Sequence, residues 1–128
     1  MADAREEAVA AAAWWAGALV AADQGVDAER AAVFERVLAG RIEALCEDAG
    51  WRPEVPTYGT CGRQVTSSPR PDRVLEQAGR EAGLSGVLDR LPSVVMSVNP
   101  GVVLVQAEGD DEPAQVWPAA PSFFVPPR

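Results

Sequence analysis

The sequence contains no histidine, no lysine and only two cysteines. Histidine is the commonest general base in enzymes, so a serine or cysteine hydrolase triad has no proton acceptor here. Cys46 and Cys61 are too few for a disulfide framework, and their spacing is not that of metal ligands. Without histidine a zinc site would need carboxylates, which is unusual. These absences argue against a triad hydrolase and a metal centre, and they predict two free thiols.

Basic charge is scarce as well, because 19 acidic residues outnumber the 11 basic ones, all of them arginine, and the formal net charge is −8. Non-specific affinity for nucleic acid comes from clustered basic side chains that release counterions from phosphates. The sequence therefore predicts no direct nucleic-acid partner, and only a local patch of arginines would change that.

A membrane-spanning run is also missing. The apolar N-terminal stretch, residues 8–22, is uncharged and has about 15 residues, whereas a helix that crosses a bilayer needs about 20. The residues before it, Asp3, Arg5, Glu6 and Glu7, are mostly acidic, where a signal peptide has positive charges. Because alanine has the highest helix propensity, we interpret the stretch as a buried helix. We expect an intracellular protein of the cytoplasm, the nucleus or both, without a membrane partner.

The remaining composition fits one globular domain. Of the 128 residues, 48% are hydrophobic and 23% are charged, which is ordinary for globular proteins. The pattern of the chain predicts a single domain over residues 1–117. Residues 118–128, which we call the tail, are too rich in proline to fold by themselves.

Helical periodicity dominates the first half of the chain. Asp27 is a candidate N-cap for a helix over residues 28–49, and Gly50 follows as the residue that ends it. Only a short loop connects this helix to the preceding one, so the two should pack antiparallel.

Residues 51–63, WRPEVPTYGTCGR, interrupt the helical pattern, and we call this segment the ribbon. Its two prolines fix backbone φ angles and remove amide donors, while its two glycines permit φ angles that other residues avoid. We expect an irregular or edge-strand segment in which neighbouring elements bury Trp51 and Tyr58.

The second half changes from helices to strands. Asp72 should cap a third helix, and Ser85 should begin a short fourth one. The predicted strands are residues 63–67, 94–98, 102–106 and 114–117. The fold class is therefore α+β, in which an N-terminal antiparallel helix pair and two shorter helices pack on a small, mainly antiparallel sheet.

The order of these motifs resembles that of the BTG/Tob antiproliferative family over about residues 6–117. The ribbon is similar to the family's first conserved box, commonly WFPEKPxKGSGYR. Residues 94–106, which we call the second box, are similar to the family's other one, commonly LTLWVDPYEVSYR.

The resemblance implies a non-enzymatic adaptor that needs no cofactor. Family members use the surface of the two boxes to bind the exonuclease subunit of the CCR-NOT deadenylase complex, and some also engage poly(A)-binding protein. These contacts promote shortening of mRNA tails and restrain proliferation. The partner-binding residues that the resemblance implies are Trp51, Pro53, Glu54, Pro56, Tyr58, Arg63, Ser97, Asn99 and Pro100.

Three departures from the family pattern fall on that surface. Ser97 stands where the second box has tryptophan, Asn99 where it has aspartate, and Gly62 where the first box has tyrosine. Loss of a central tryptophan typically costs at least about 2 kcal/mol of binding, or some thirtyfold in affinity. Either Tyr58 or Trp51 compensates in a weakened deadenylase contact, or the chain is a degenerate member that serves as a structural or regulatory domain for a different protein partner.

Several of these residues also have a purely structural interpretation. Trp51, the ribbon prolines, Asn99 and Pro100 can shape the ribbon and the turn without touching a partner, whereas Arg63 and Ser97 are expected at the surface.

The tail has two interpretations. Its residues 124–126 resemble the end of a short motif that binds poly(A)-binding protein, and the alternative is that Phe123 and Phe124 fold back onto an apolar groove.

Overall fold

The computed structural model describes residues 3–68 and 70–118, and it confirms the α+β fold class. Within these residues the helices are α1 (Arg5–Ala22), α2 (Ala28–Ala49) and α3 (Arg73–Ala82), with 3₁₀ helices at Thr60–Arg63 and Ser85–Arg90. The strands are β1 (Gln64–Thr66), β2 (Val94–Asn99), β3 (Val102–Ala107) and β4 (Ala114–Trp117). They form one antiparallel sheet in the order β1-β2-β3-β4. The predictions for residues 119–128 lie outside the described residues.

Local signals at both ends give α2 its predicted bounds. The Asp27 carboxylate accepts a hydrogen bond from the backbone amide of Arg30 at 2.7 Å, which satisfies a donor that the helix itself leaves free. Gly50 follows with a φ of 105°, in the region that favours glycine, and its amide donates to the carbonyl of Cys46 at 3.1 Å. α1 packs along α2, as the short connection predicts.

The sheet has one buried face and one open face. In β2, Val94, Met96 and Val98 are buried, while the alternate residues, including Ser97 and Asn99, are half-buried. Successive side chains of a strand point to opposite faces, so Ser97 and Asn99 lie on the face away from the helices. The helices complete the core with Trp15, Leu19, Phe34, Leu38, Ile42 and Cys46.

Asp72 connects α3 to the sheet. Its carboxylate accepts hydrogen bonds from the amide of Leu75 at 3.1 Å, as the predicted cap, and from the amide of Thr66 in β1 at 2.9 Å. Burial raises the pKa of Asp72, and these backbone hydrogen bonds oppose that shift. The predicted fourth helix is instead the 3₁₀ helix Ser85–Arg90, because so short a segment before Pro92 forms too few α-helical hydrogen bonds.

The two cysteines are free, as predicted, and their surroundings differ. Cys46 is buried in α2, and burial raises the pKa of its thiol to about 12, although the nearby Arg63 opposes that shift. Cys61 is exposed on the ribbon.

Within residues 3–68 and 70–118, no helix is long and apolar enough to cross a membrane. The same residues hold no group of three or more cysteine, aspartate or glutamate side chains that could bind a metal ion.

Candidate protein-docking site

The ribbon is irregular, as its prolines and glycines predict. It forms successive turns, in which the amide of Val55 donates to the carbonyl of Arg52 and the amide of Tyr58 to that of Val55, each at 2.9 Å. The 3₁₀ helix Thr60–Arg63 then leads into β1.

Gly59 allows the ribbon to pass against the end of α2. Its φ is 76°, and a Cβ at this position would lie 2.5 Å from the carbonyl oxygen of Ala49. A Cβ at Gly62 would lie 2.9 Å from the Cβ of Ala49. The close approach therefore requires small residues at both positions and fixes the ribbon's distance from the helix.

Arg63 is buried, so the prediction of a surface position is wrong. The residue has no solvent-accessible surface, although arginine is almost never fully buried unless it is paired. The physical reason is that each of its five N–H groups finds an oxygen acceptor within the fold.

The acceptors of Arg63 come from three separate parts of the chain. Nε donates to the carbonyl of Val98 in β2 at 2.7 Å. One terminal nitrogen donates to the carbonyl of Gly50 at 2.7 Å and to that of Tyr58, and the other donates to the carbonyl of Pro56 and to the Asn99 side chain, both at 2.9 Å. Arg63 thereby joins the end of α2, the ribbon and the second box.

All of these acceptors are neutral oxygens, so the guanidinium charge has no carboxylate partner among them. Burial accordingly lowers the pKa of Arg63. The guanidinium carbon also lies 5.5 Å from the centre of the Trp51 ring, at a distance where a cation interacts with an aromatic face.

Trp51 and Tyr58, the two aromatic residues of the ribbon, are both more exposed than predicted. Trp51 is half-buried, but 52% of Tyr58 is exposed. The Tyr58 ring lies beside Gly50, where an added Cβ would come within 2.8 Å of it, and the Arg52 guanidinium stands 5.0 Å from its centre. Two such neighbours cover only part of the ring, which leaves an aromatic surface available to a partner.

The structure brings the ribbon and the second box together, and we call their common surface the docking face. Asn99 connects them, since its side-chain oxygen accepts hydrogen bonds from Arg63 and from the Thr60 hydroxyl. Ser97 is half-buried on the open face of the sheet, opposite Gln64 of β1 and Leu104 of β3. Among the other implied contact residues, Pro53, Glu54 and Pro56 are exposed, whereas Pro100 is buried.

A cleft of about 420 Å³ adjoins the docking face, and we call it the acidic cleft. Its lining includes Asp3, Glu6, Glu7, Trp51, Pro53 and Pro100. Glu7 is buried, and its carboxylate accepts a hydrogen bond from the amide of Gly101 at 3.0 Å. Sequence reasoning missed this cleft, although three acids within five residues before an apolar run were a usable signal.

Replacing Asn99 with aspartate should stabilise the fold by about 1–2 kcal/mol at neutral pH. The new carboxylate would accept from Arg63 in place of an amide oxygen and would supply the missing counter-charge. Arg63 should hold the pKa of this aspartate below its unfolded value of about 4, so the gain is present above that pH and is lost as the pH falls through the folded pKa. Urea unfolding at neutral and acidic pH measures both effects.

Gln64→Glu is the matched control for this prediction. It also converts an amide to a carboxylate on the sheet, at an exposed position whose side chain makes no hydrogen bond to any residue that the structure describes. If Asn99→Asp stabilised the fold no more than Gln64→Glu does, a carboxylate beside Arg63 would not be a source of stability.

Comparison with known proteins agrees with the fold. No curated protein matches the chain in sequence. Among solved structures, the C. elegans FOG-3 BTG/Tob domain matches with a TM-score of 0.74 and 19% sequence identity, over 88% of this chain and 81% of that chain. At this identity the likeness shows the fold alone. The model of the BTG family, however, matches residues 5–117, which is most of the sequence, and the chain therefore belongs to the BTG family.

Proposed function

We propose that this protein is a non-enzymatic adaptor that binds the exonuclease subunit of the CCR-NOT deadenylase through the docking face. In this role it would promote the shortening of mRNA tails in the cytoplasm or nucleus and restrain proliferation. One observation carries the proposal: Arg63 holds both boxes of a BTG-family chain in one arrangement. A surface that is ordered before binding loses less conformational entropy when a partner associates.

Exposed apolar groups on the ribbon support a protein partner. Tyr58 and Val55 are 52% and 45% exposed, and both belong to the small set of large apolar residues that the described chain leaves exposed. Tyrosine is among the residue types that most often dominate binding energy at interfaces. We therefore assign Tyr58 as the main aromatic contact that remains after the tryptophan and tyrosine of the family boxes have been replaced.

Calorimetric titration of the full chain with the exonuclease subunit tests the proposal. We expect binding at tens of micromolar, and we expect Tyr58→Ala to weaken it by at least about tenfold. Val20→Ala is the matched control, because Val20 is an exposed apolar residue, 42% accessible, near the end of α1. Heat that remains at baseline for the unmodified chain would refute the deadenylase contact. Equal weakening by both variants would refute the placement of the contact on the ribbon.

A second candidate function is a regulatory domain that uses the same face for a different protein. The departures at Ser97, Asn99 and Gly62 favour it, because they remove two aromatic groups and a charge from the family's pattern. Affinity capture of the full chain from cells distinguishes the two candidates. Capture of a protein other than deadenylase subunits, lost with Tyr58→Ala, would support the second one.

A further inference from the structure

The outer side of α1 is apolar and exposed. Residues 8–22 carry no charge on any side of the helix, a pattern that is typical of a helix buried all round. However, α1 packs against α2 and the sheet with one side only. The opposite side exposes Val9, Ala13, Gly17 and Val20, and the two valines are 47% and 42% accessible. The interpretation as a buried helix therefore holds for only part of its circumference.

The four exposed residues form one continuous surface, which we call the α1 face. They are spaced by four, four and three residues, which returns to the same side of an α-helix, and they span about 16 Å along its axis. Val9 and Val20 are two of the four large apolar residues that the described chain leaves exposed. Single exposed apolar residues are common, but a contiguous apolar surface marks a binding site more often.

A groove of about 420 Å³ between α1 and α2 extends the α1 face sideways from Val9. Its charged lining residues are Arg5, Glu35, Arg36 and Glu43. None of the four forms an ion pair with a residue that the structure describes, and their charges sum to zero. The whole chain has a net charge of −8, so two copies repel each other over most of their surface. The uncharged α1 face and its neutral groove are a place where that repulsion is small.

The α1 face is complementary to itself. It has a bulky valine at each end and two small residues, Ala13 and Gly17, at its centre. In an antiparallel pair related by a two-fold axis between these two residues, Ala13 faces Gly17 of the second copy, and Val9 faces Val20 of the second copy. A Cβ at Gly17 would meet nothing within 4 Å in the single chain, so the centre has room for the other helix. Small residues at the crossing let two helices approach closely, which brings the valines into contact.

We propose that the α1 face binds the α1 face of a second copy of this chain, antiparallel, to form a two-fold symmetric dimer. Because both copies use the same surface, assembly closes at two copies. One helix pair and its flanking groove make a smaller contact than the standard interface of about 800 Å² per partner, so the dimer is weak and reversible. The proposal does not depend on the deadenylase contact, because no residue of the α1 face belongs to the docking face.

Sedimentation equilibrium of the full chain tests this dimer. Between about 10 μM and about 1 mM, the average mass should rise from 13.5 kDa toward twice that value. Ala13→Arg should raise the dissociation constant of the dimer by at least about tenfold, because it places an unpaired charge in the crossing. Since Ala13 is exposed in the single chain, the melting temperature in dilute solution should not change, which shows that the variant is folded.

Ala44→Arg is the matched control. It makes the same substitution at an exposed position of α2 that does not line the groove, so the dissociation constant of the dimer should stay the same. A mass that remains at 13.5 kDa over the whole concentration range would overturn the proposal. A dimer that Ala13→Arg does not weaken, or that both variants weaken equally, would overturn it as well, because the contact would then lie elsewhere.

A mixture of two variants tests the antiparallel arrangement. Gly17→Glu alone should weaken the dimer as Ala13→Arg does, since each variant brings its own charge into the crossing without a counter-charge. In an equal mixture, the introduced arginine of one copy should face the introduced glutamate of the other. The heterodimer should therefore form with a dissociation constant within about threefold of that of the unmodified chain. A mixture that dissociates as readily as the separate variants would overturn the antiparallel pairing.

Discussion

Replacing Arg63 with methionine should lower the free energy of unfolding by about 3–5 kcal/mol. Methionine can fill much of the space, but it cannot donate a hydrogen bond. The carbonyls of Gly50, Pro56, Tyr58 and Val98 would lose the donor that now satisfies them. A buried acceptor left without a partner costs about 1–3 kcal/mol, and the ribbon can recover part of this cost by admitting water.

Equilibrium urea unfolding measures this loss, and Arg41→Met is the matched control. Arg41 also bridges two elements, because it donates to Gln77 at 2.9 Å and pairs with Glu81 of α3. However, its side chain is 37% exposed, so its removal should cost about 1 kcal/mol or less. If both variants lowered the free energy of unfolding by a similar amount, the buried hydrogen bonds of Arg63 would contribute no more to stability than those of the partly exposed Arg41.

The location of the damage provides an independent check. Without Arg63 the ribbon should open before the rest of the domain, so hydrogen exchange at the amides of Tyr58 and Gly62 should accelerate more than exchange in α2. Arg63→Lys should recover only part of the stability, because an ammonium group keeps the charge but has three donors and no planar fork to reach acceptors on several sides.

Much of the fold could be predicted because its signals are local. Asp27 and Gly50 mark the ends of α2 through groups within four residues of each end, and the alternation of buried residues along β2 follows from the strand repeat. The Asn-Pro-Gly turn between β2 and β3 is another such signal. These features depend on neighbouring residues and do not require the tertiary arrangement.

The site was predicted less well because its geometry depends on distant residues. The acceptors of Arg63 include residues 13 and 35 positions away, so its burial could not be read from the ribbon alone. Tyr58 is 52% exposed, and the side of its ring that Arg52 and Gly50 approach could not be read from the ribbon sequence. The acidic cleft forms only when the first turn of α1 meets the β2–β3 turn through Glu7.

The replacement of Ser97 by tryptophan should strengthen binding of the exonuclease subunit by at least about thirtyfold. Ser97 lies on the open face of the sheet, two residues before Asn99 and on the same side of β2. A tryptophan there can spread over Leu104 without entering the core, so the free energy of unfolding should change by no more than about 0.5 kcal/mol. Calorimetric titration beside urea unfolding separates the two effects.

Val95→Trp is the matched control, because it tests whether the gain in affinity depends on where the tryptophan lies on β2. Val95 lies two residues earlier on the same face of β2 and further from the ribbon, so its replacement adds a similar aromatic surface within the second box but away from the implied contact residues Ser97, Asn99 and Pro100. If only Ser97→Trp increases the affinity, the partner must contact the surface where the two boxes meet. That result would mean that the docking face is retained and that only the family's tryptophan is lost. Equal gain in both variants would reflect general adhesion of tryptophan, and no gain in either would mean that this subunit does not contact the second box.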